Sequence, residues 1–348
     1  MKALLYLPVK KRFLPVWEYY QVEYDTLSEI FSEVIVCTSV IQILKNFRSA
    51  KLIYCWWWHR SLPVIIISKI FRIKIFVTGA IHMFDISGGP DFYNSGIFYR
   101  FFTKLALALC DKSMFISNDQ LMQITSHLYV KDPAVLLSSL TRDSSAALKT
   151  IVMEREYLRE GYSNDDPIFN FVTVTWHTLS SYKRKGIFEV LEALSILKKN
   201  TKHQFRWFII GASADGIERL SLKIYELKLA ENVVLKFDLP YEDKRLLYLK
   251  SDLYLQPSYC EGFGNAVLEA MSQGLPALVS RHTAQPEVVG NTGFIVMEIK
   301  PECIYNKIIE FINLDVKKKK RLTQDVLDYV QDNFTLEKRV LSFRNLLS

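Results

Sequence analysis

The residues whose types and spacing could do chemistry are concentrated in residues 257–276, P-S-Y-C-E-G-F-G-N-A-V-L-E-A-M-S-Q-G-L-P. Within this stretch Glu261 and Glu269 bracket Gly262, Phe263, Gly264 and Asn265. Two glycines let a backbone turn sharply and let a ligand come close to it. From Asn265 onward, Ala266, Val267, Ala270 and Met271 share one helical face, and Gly274 followed by Pro276 ends that helix. A helix starting at Asn265 points its first N–H groups at the glycine loop, and that end favours an anion such as phosphate. A carboxylate beside a sugar can accept hydrogen bonds from hydroxyl pairs, or stabilise positive charge developing on an anomeric carbon. Taken alone, two such glutamates are more often a solvated helix residue and a helix N-terminal charge.

The flanking elements give the loop its place. Residues 252–256 read as a short buried strand and residues 277–280 as another. The loop therefore sits at the carboxyl end of a strand, where open parallel sheets hold ligands. A second anion site is predicted after a strand at residues 169–175, where Lys183, Arg184 and Lys185 precede Gly186 and an amphipathic helix over residues 188–199. A solvated turn would account for those three basic residues equally well.

The twenty-residue string resembles the donor-binding signature of the retaining glycosyltransferases of family four (glycosyl transferases group 1), P-S-x-x-E-G-F-G-x-x-x-L-E-A-M-x-x-G-x-P, and meets every specified position. The resemblance covers most of residues 169–300 and reaches residues 1–140 in outline. It implies an α/β chain of the GT-B class, with two Rossmann-like doubly wound domains facing across a cleft. The expected division is an acceptor-side domain over residues 1–160 and a nucleotide-sugar donor domain over 168–330. A last helix, residues 331–348, is expected to cross back to the first domain. The implied activity is retaining transfer of a sugar from a nucleotide-diphosphate sugar to a hydroxyl acceptor, in cell-surface polysaccharide or lipid-linked oligosaccharide biosynthesis.

The resemblance also assigns roles. Lys185 matches the lysine that the family's G-R-L…K-G segment offers to the donor diphosphate, whereas Trp176-His177 stands where its arginine is usual. Arg184 or Lys183 is the expected substitute. The donor would also meet Gly262, Phe263, Gly264 and Asn265, with Glu269 on the ribose and Glu261 near the transferring sugar. His82, in a loop after a strand at residues 74–78, resembles the histidine that family members carry near that sugar, with His59 and Asp85 as competitors. No metal and no cofactor beyond the donor is expected. The first strand is followed by Pro8 and the basic Lys10, Lys11 and Arg12 rather than by the usual glycine loop. That departure and the displaced arginine leave a rival of another class, a non-catalytic GT-B binding or partner protein.

Composition bounds these expectations. Apolar residues make up 49 % of the chain and charged residues 23 %, which suits globular cores. No apolar run reaches the length of a membrane helix. The short first strand does not read as a signal sequence, so the expected location is cytoplasmic, at the inner face of a membrane. Five scattered cysteines form no disulfide or zinc pattern, and Cys260 reads as a small buried residue. The net charge of +7 fits an anionic donor and peripheral contact with an anionic membrane surface. No basic stripe interleaved with stacking aromatics points to nucleic acid. The three consecutive tryptophans 56–58 include at least one core residue, since alternate side chains of an extended run face opposite ways. The tail from Glu302 reads as helix throughout, with the basic run at 317–321 as a solvated face.

Overall fold

The computed structural model describes residues 1–9, 18–85, 91–159 and 168–347. The expected basic loop of Lys10, Lys11 and Arg12 lies outside them, as do residues 86–90 and 160–167. Among the described residues, 1–84, 91–145 and 332–347 form one compact unit, and 146–331 together with Asp85 form the other. The contacts thus divide the chain between Ser145 and Ala146, earlier than the expected boundary near residue 160. The physical reason is Arg155, a buried residue on helix Ile151–Arg159. Its guanidinium donates to the carbonyls of Tyr248 (3.0 Å), Ser251 (2.9 Å) and Gln273 (3.2 Å), tying that helix to the second unit.

The first unit is built on six parallel strands: β1 Lys2–Tyr6, β2 Glu33–Cys37, β3 Ala50–Trp56, β4 Lys74–Thr78, β5 Lys112–Phe115 and β6 Pro133–Val135. They are ordered β2-β1-β3-β4-β5-β6. The central strands β1, β3 and β4 are mostly apolar, as strands covered on both faces must be. The three-residue β6 is too short to announce itself in the sequence. Helix Leu336–Leu347 belongs to this unit and packs on helix Glu18–Ser28. Its Phe343 is buried against Tyr54 and Phe76. The tail is not one helix. It breaks into Pro301–Ile312, Val316–Asn333 and Leu336–Leu347. One break falls where the Asp315 carboxylate accepts from the Lys318 N–H (2.8 Å), a cap that starts a new helix.

The second unit repeats the theme with β7 Phe169–Val174, β8 Phe205–Gly211, β9 Val233–Phe237, β10 Leu253–Gln256, β11 Ala277–Ser280 and β12 Phe294–Val296. Their order is β12-β11-β10-β7-β8-β9, again all parallel. Counted from β7, this is the 3-2-1-4-5-6 order of a dinucleotide-binding sheet, whereas the first unit has the flavodoxin-like order. The strand order therefore reverses between β7 and β10, and the crevice outside their carboxyl ends is where such a sheet binds ligands.

Candidate functional site

Both predicted anion-binding loops leave the sheet at that reversal point. The chain departing β7 makes a short helix, Leu179–Arg184, started by Thr178, whose hydroxyl accepts from the Ser181 N–H (3.1 Å). Lys185 ends this helix, and Gly186 (φ +67°) turns the chain into helix Ile187–Asn200. Gly186 serves twice. Its left-handed backbone disfavours any side chain, and a Cβ there would lie 2.4 Å from the Pro257 carbonyl oxygen at the end of β10. The Tyr259 N–H donates to the Arg184 carbonyl (2.8 Å), so the two loops are stitched together.

This stitching gathers Arg184, Lys185 and Glu261. An Arg184 Nη lies 2.7 Å from a Glu261 carboxylate oxygen and also donates to the Cys260 carbonyl (3.1 Å). The same carboxylate oxygen accepts from the Gln256 amide (3.2 Å) and stands 4.0 Å from Lys185 Nζ. Lys185 is buried, and its ammonium donates to the Val174 carbonyl (2.8 Å) and to Gln256 Oε1 (3.1 Å). Tyr254, wholly buried on β10, completes the frame by donating to Gln256 Oε1 (2.7 Å) and accepting from the Val174 N–H (3.2 Å). Burial pushes the Lys185 ammonium down to about 8, although Glu261 pulls it the other way. Glu261 raises Arg184 above its ordinary value. Lys183, one residue earlier, is exposed. Arg184 is therefore the basic residue that accompanies Lys185.

Beyond Glu261 the loop runs into helix Asn265–Ser272. Gly264 occupies its N-cap at φ +110°, with no side-chain hydrogen bond closing the helix end. Asn265 is exposed there and Gly262 half-buried, while Phe263 is buried in the interior. The ring of Phe263 lies in the interior and anchors the loop. Glu269, in the second turn, forms an ion pair with Lys244 and accepts from the Tyr248 hydroxyl (3.2 Å). It is not a freely solvated helix residue. Gln285 closes the base of the loop. Its side chain is wholly buried, donates to the Gln256 carbonyl (2.9 Å) and accepts from the Ser258 N–H (3.3 Å).

Lys185, Arg184, Glu261, Gly262, Gly264, Asn265 and Glu269 thus all belong to the second unit. His82 belongs to the first. It is half-buried after β4, with its carbonyl accepting from the Phe92 N–H (2.8 Å). Its competitor His59 lies over the Tyr99 ring (4.5 Å between centroids), and burial with the neighbouring Arg60 lowers it to about 4, so it is neutral at pH 7. Asp85 is buried. Of the three tryptophans, Trp56 and Trp58 are core residues. Trp57 (φ +74°) ends the extended run and donates through its indole N–H to the Tyr20 hydroxyl (2.9 Å). His177, where the family arginine is usual, is buried and bonded to the Tyr182 hydroxyl (2.6 Å). Cys260 is buried, as its lack of a nearby histidine suggests. Sequence reasoning missed Tyr254, Gln256, Lys244, Tyr248 and Gln285. Only Gln256 carried a signal, as a polar residue ending an otherwise apolar strand.

Comparison with known proteins now bears on this geometry. Residues 174–326 match the family model described as glycosyl transferases group 1. That match lies within the second unit and spans less than half of the chain. Over 155 residues it is 27 % identical to O-antigen chain mannosyltransferase B of Escherichia coli, covering 43 % of this chain and 40 % of that one. Over 121 residues it is 29 % identical to lipopolysaccharide glucosyltransferase WaaG of Escherichia coli K12, covering 34 % of this chain and 31 % of that one. The aligned segments thus span well under half of these two curated relatives. Solved structures extend the likeness to the whole fold. The structure of Anabaena Alr3699/HepE in complex with UDP and glucose superposes with a TM-score of 0.74 at 17 % identity, covering 100 % of this chain and 99 % of that one. That of WaaG gives 0.70 at 14 % identity, covering 99 % and 98 %. The fold of the chain is GT-B, and each of its units is a doubly wound α/β domain.

Proposed function

We propose that this chain is a retaining glycosyltransferase that moves a sugar from a nucleotide-diphosphate sugar to a hydroxyl on a glycan or lipid-linked acceptor. The setting is cell-surface polysaccharide biosynthesis, in the cytoplasm with peripheral contact to the membrane. One observation carries the reading: a buried lysine and an arginine share one carboxylate at the strand-order reversal, beside a helix N-terminus closed by no side chain. That is a cationic seat for a diphosphate, with Glu261 held beside it.

In this reading Lys185, Arg184 and the N–H groups at Gly264 and Asn265 take up the charge that develops on the diphosphate as its bond to the anomeric carbon breaks. The acceptor oxygen forms its bond to the same face of the sugar, and its proton passes to the departing diphosphate oxygen. Glu261, which is tethered by Gln256, positions the sugar and steadies the positive charge on its ring. Glu269 receives the ribose hydroxyls, oriented by Tyr248 and Lys244. His82 contributes a hydrogen bond to a sugar or acceptor hydroxyl from the first unit. The side chains of the seat supply positive charge by themselves, so the proposal includes no metal.

Calorimetry with UDP, GDP and ADP in the absence of added metal tests the reading. One nucleotide is expected to bind, with affinity reduced at least about 100-fold in Glu269→Ala and in Lys185→Ala, each a loss of about 3 kcal/mol. Equal affinity in the wild type and both variants would remove the donor site from this crevice. Failure of all three nucleotides to bind would favour the non-catalytic partner protein.

A further inference from the structure

Trp176 stands at the strand-order reversal of the second unit and is 58 % exposed. Tryptophan is seldom left so open, because its ring is among the largest apolar surfaces a side chain can bury. Trp207, the other tryptophan of this unit, is wholly buried and donates its indole N–H to Thr173 Oγ1 (2.9 Å). Among the described residues the Trp176 ring makes no hydrogen bond and no ring contact.

The backbone fixes where that ring points. The N–H groups of Thr175 and His177 donate to the carbonyls of Ile210 (2.8 Å) and Ala212 (3.1 Å). The extended run of β7 therefore continues past Val174 alongside the chain leaving β8. Successive side chains of such a run alternate between the faces of the sheet. Phe169 and Phe171 lie in the core shared with helices Ile187–Asn200 and Pro301–Ile312, and Thr175 and His177 follow them to that face. Trp176 takes the opposite face, with Val172 and Val174. That is the side of helix Tyr241–Lys250, which packs on β7 and holds Glu269 through Tyr248 and Lys244.

Trp176 is also two residues, about 7 Å, beyond the Val174 carbonyl that Lys185 grips. The ring thus stands within a nucleotide's reach of Lys185 and on the side where Glu269 is held. Those two groups take the diphosphate and the ribose in the proposed function, and the base is the part of the nucleotide left without a contact. A base is flat and offers a π-face whatever its identity. His177, the other residue in the place of the family arginine, is turned into the interior. We infer that Trp176 is the stacking residue for the base of the donor nucleotide, an aromatic contact at the position where the family pattern has a charged one. The role rests on the proposed donor site, but it involves no charge and acts on a different part of the ligand.

Calorimetry of the full chain with UDP, GDP, ADP and inorganic pyrophosphate separates the two contributions. The nucleotide that binds the wild type should lose at least about ten-fold in affinity in Trp176→Ala, and no more than about three-fold in Trp176→Phe, which keeps a ring. Pyrophosphate has no base, so it should bind Trp176→Ala as it binds the wild type and bind Lys185→Ala far more weakly. Fluorescence gives a second readout: the nucleotide should quench the wild type, and Trp176→Phe should lose most of that quenching at saturation. Thermal melting controls for folding, and the exposure of Trp176 predicts little change. A folded Trp176→Ala that binds the nucleotide as tightly as the wild type, while Lys185→Ala does not, would overturn the stacking role and leave the donor site standing. Equal losses of nucleotide and pyrophosphate in Trp176→Ala would also overturn it, because the ring would then support the diphosphate seat rather than the base. Failure of every nucleotide to bind the wild type would remove the donor site, and this role with it.

Discussion

Arg339 in the first unit and Lys185 in the second are both buried cations, and they are compensated in opposite ways. In the first unit Arg339 is 4 % exposed and fully matched. It pairs with the equally buried Glu23 at 2.7 Å and donates to Thr26 Oγ1 (3.2 Å), to the Leu136 carbonyl (3.2 Å) and to the Leu137 carbonyl. In the second unit Lys185 is 8 % exposed, but its nearest carboxylate lies at 4.0 Å and is shared with Arg184. Burial outweighs the attraction, and the ammonium is pushed down to about 8. A cation that holds a fold together is matched within the fold. One that waits for an anion is left incompletely compensated, which is how perturbed groups come to mark binding crevices. Two sheets of similar architecture thus differ in what their buried charges are for.

The contrast is tested most strongly by removing Arg339. Arg339→Ala leaves Glu23 buried without its partner and strips three further acceptors, so a loss of about 3–5 kcal/mol is expected in urea unfolding. The double variant Arg339→Met/Glu23→Gln should recover a good part of that loss, because it removes both charges. A single-variant loss below about 1 kcal/mol would show that Arg339 is no better matched than Lys185.

Lys185→Met should behave in the opposite sense. A folded value of about 8 against the ordinary 10.5 means that the folded chain releases this proton while the unfolded chain still holds it. Stability from this group therefore rises with pH between about 8 and 10.5, and the buried charge costs about 3 kcal/mol at pH 7 as an upper limit. Lys185→Met should be no less stable than wild type at pH 7, and its stability should lose that rise. In the proposed function, diphosphate binding at Lys185 restores the proton. Calorimetry of the bound nucleotide near pH 8.5, in two buffers of different ionisation enthalpy, should give net proton uptake that Lys185→Met abolishes. Zero uptake in the wild type would break the comparison, since Lys185 would then not be the group the anion completes.

How much of this was legible beforehand follows from distance along the chain. The loop at 257–276 declares itself because its glycines, helix face and helix stop are local, and the helix is found at Asn265–Ser272. Lys185 was readable for the same reason, lying beside Gly186. The frame around it was not. Tyr254 and Gln256 come from β10, Lys244 and Tyr248 from helix Tyr241–Lys250 and Gln285 from helix Gln285–Val289, and only the folded chain brings the three elements to the loop. The choice of Arg184 over Lys183 also needed the turn at Gly186, which faces one inward and leaves the other in solvent. The breaks in the tail were locally marked, by Asp315 at one helix start and Thr335 before the next. The continuous amphipathic pattern on either side concealed them.

The basic run at 317–321 gives the smallest expected effect and the finest discrimination. In sequence it resembles 183–185, but it lies on an exposed helix and is locally neutralised. Lys318 pairs with Asp315 at 3.6 Å and Lys320 with Glu156 at 3.3 Å, and Arg321 lies 3.8 Å from Asp325. Exposed pairs of this kind contribute little. Lys318→Ala and Lys320→Ala should each change stability by no more than about 0.5 kcal/mol and leave nucleotide binding unaltered. Lys319, between them, is turned inward, with its ammonium 4.9 Å from the centre of the Phe169 ring and 5.4 Å from that of Phe311 while it donates to the Ile312 carbonyl (2.8 Å). Lys319→Ala should therefore lose about 1 kcal/mol in urea unfolding, more than either neighbour. Equal, negligible losses at 318, 319 and 320 would mean that burial of the stem and ring contact add nothing to a lysine at this surface. The contrast between matched and waiting cations would then hold only for groups as deeply buried as Arg339 and Lys185.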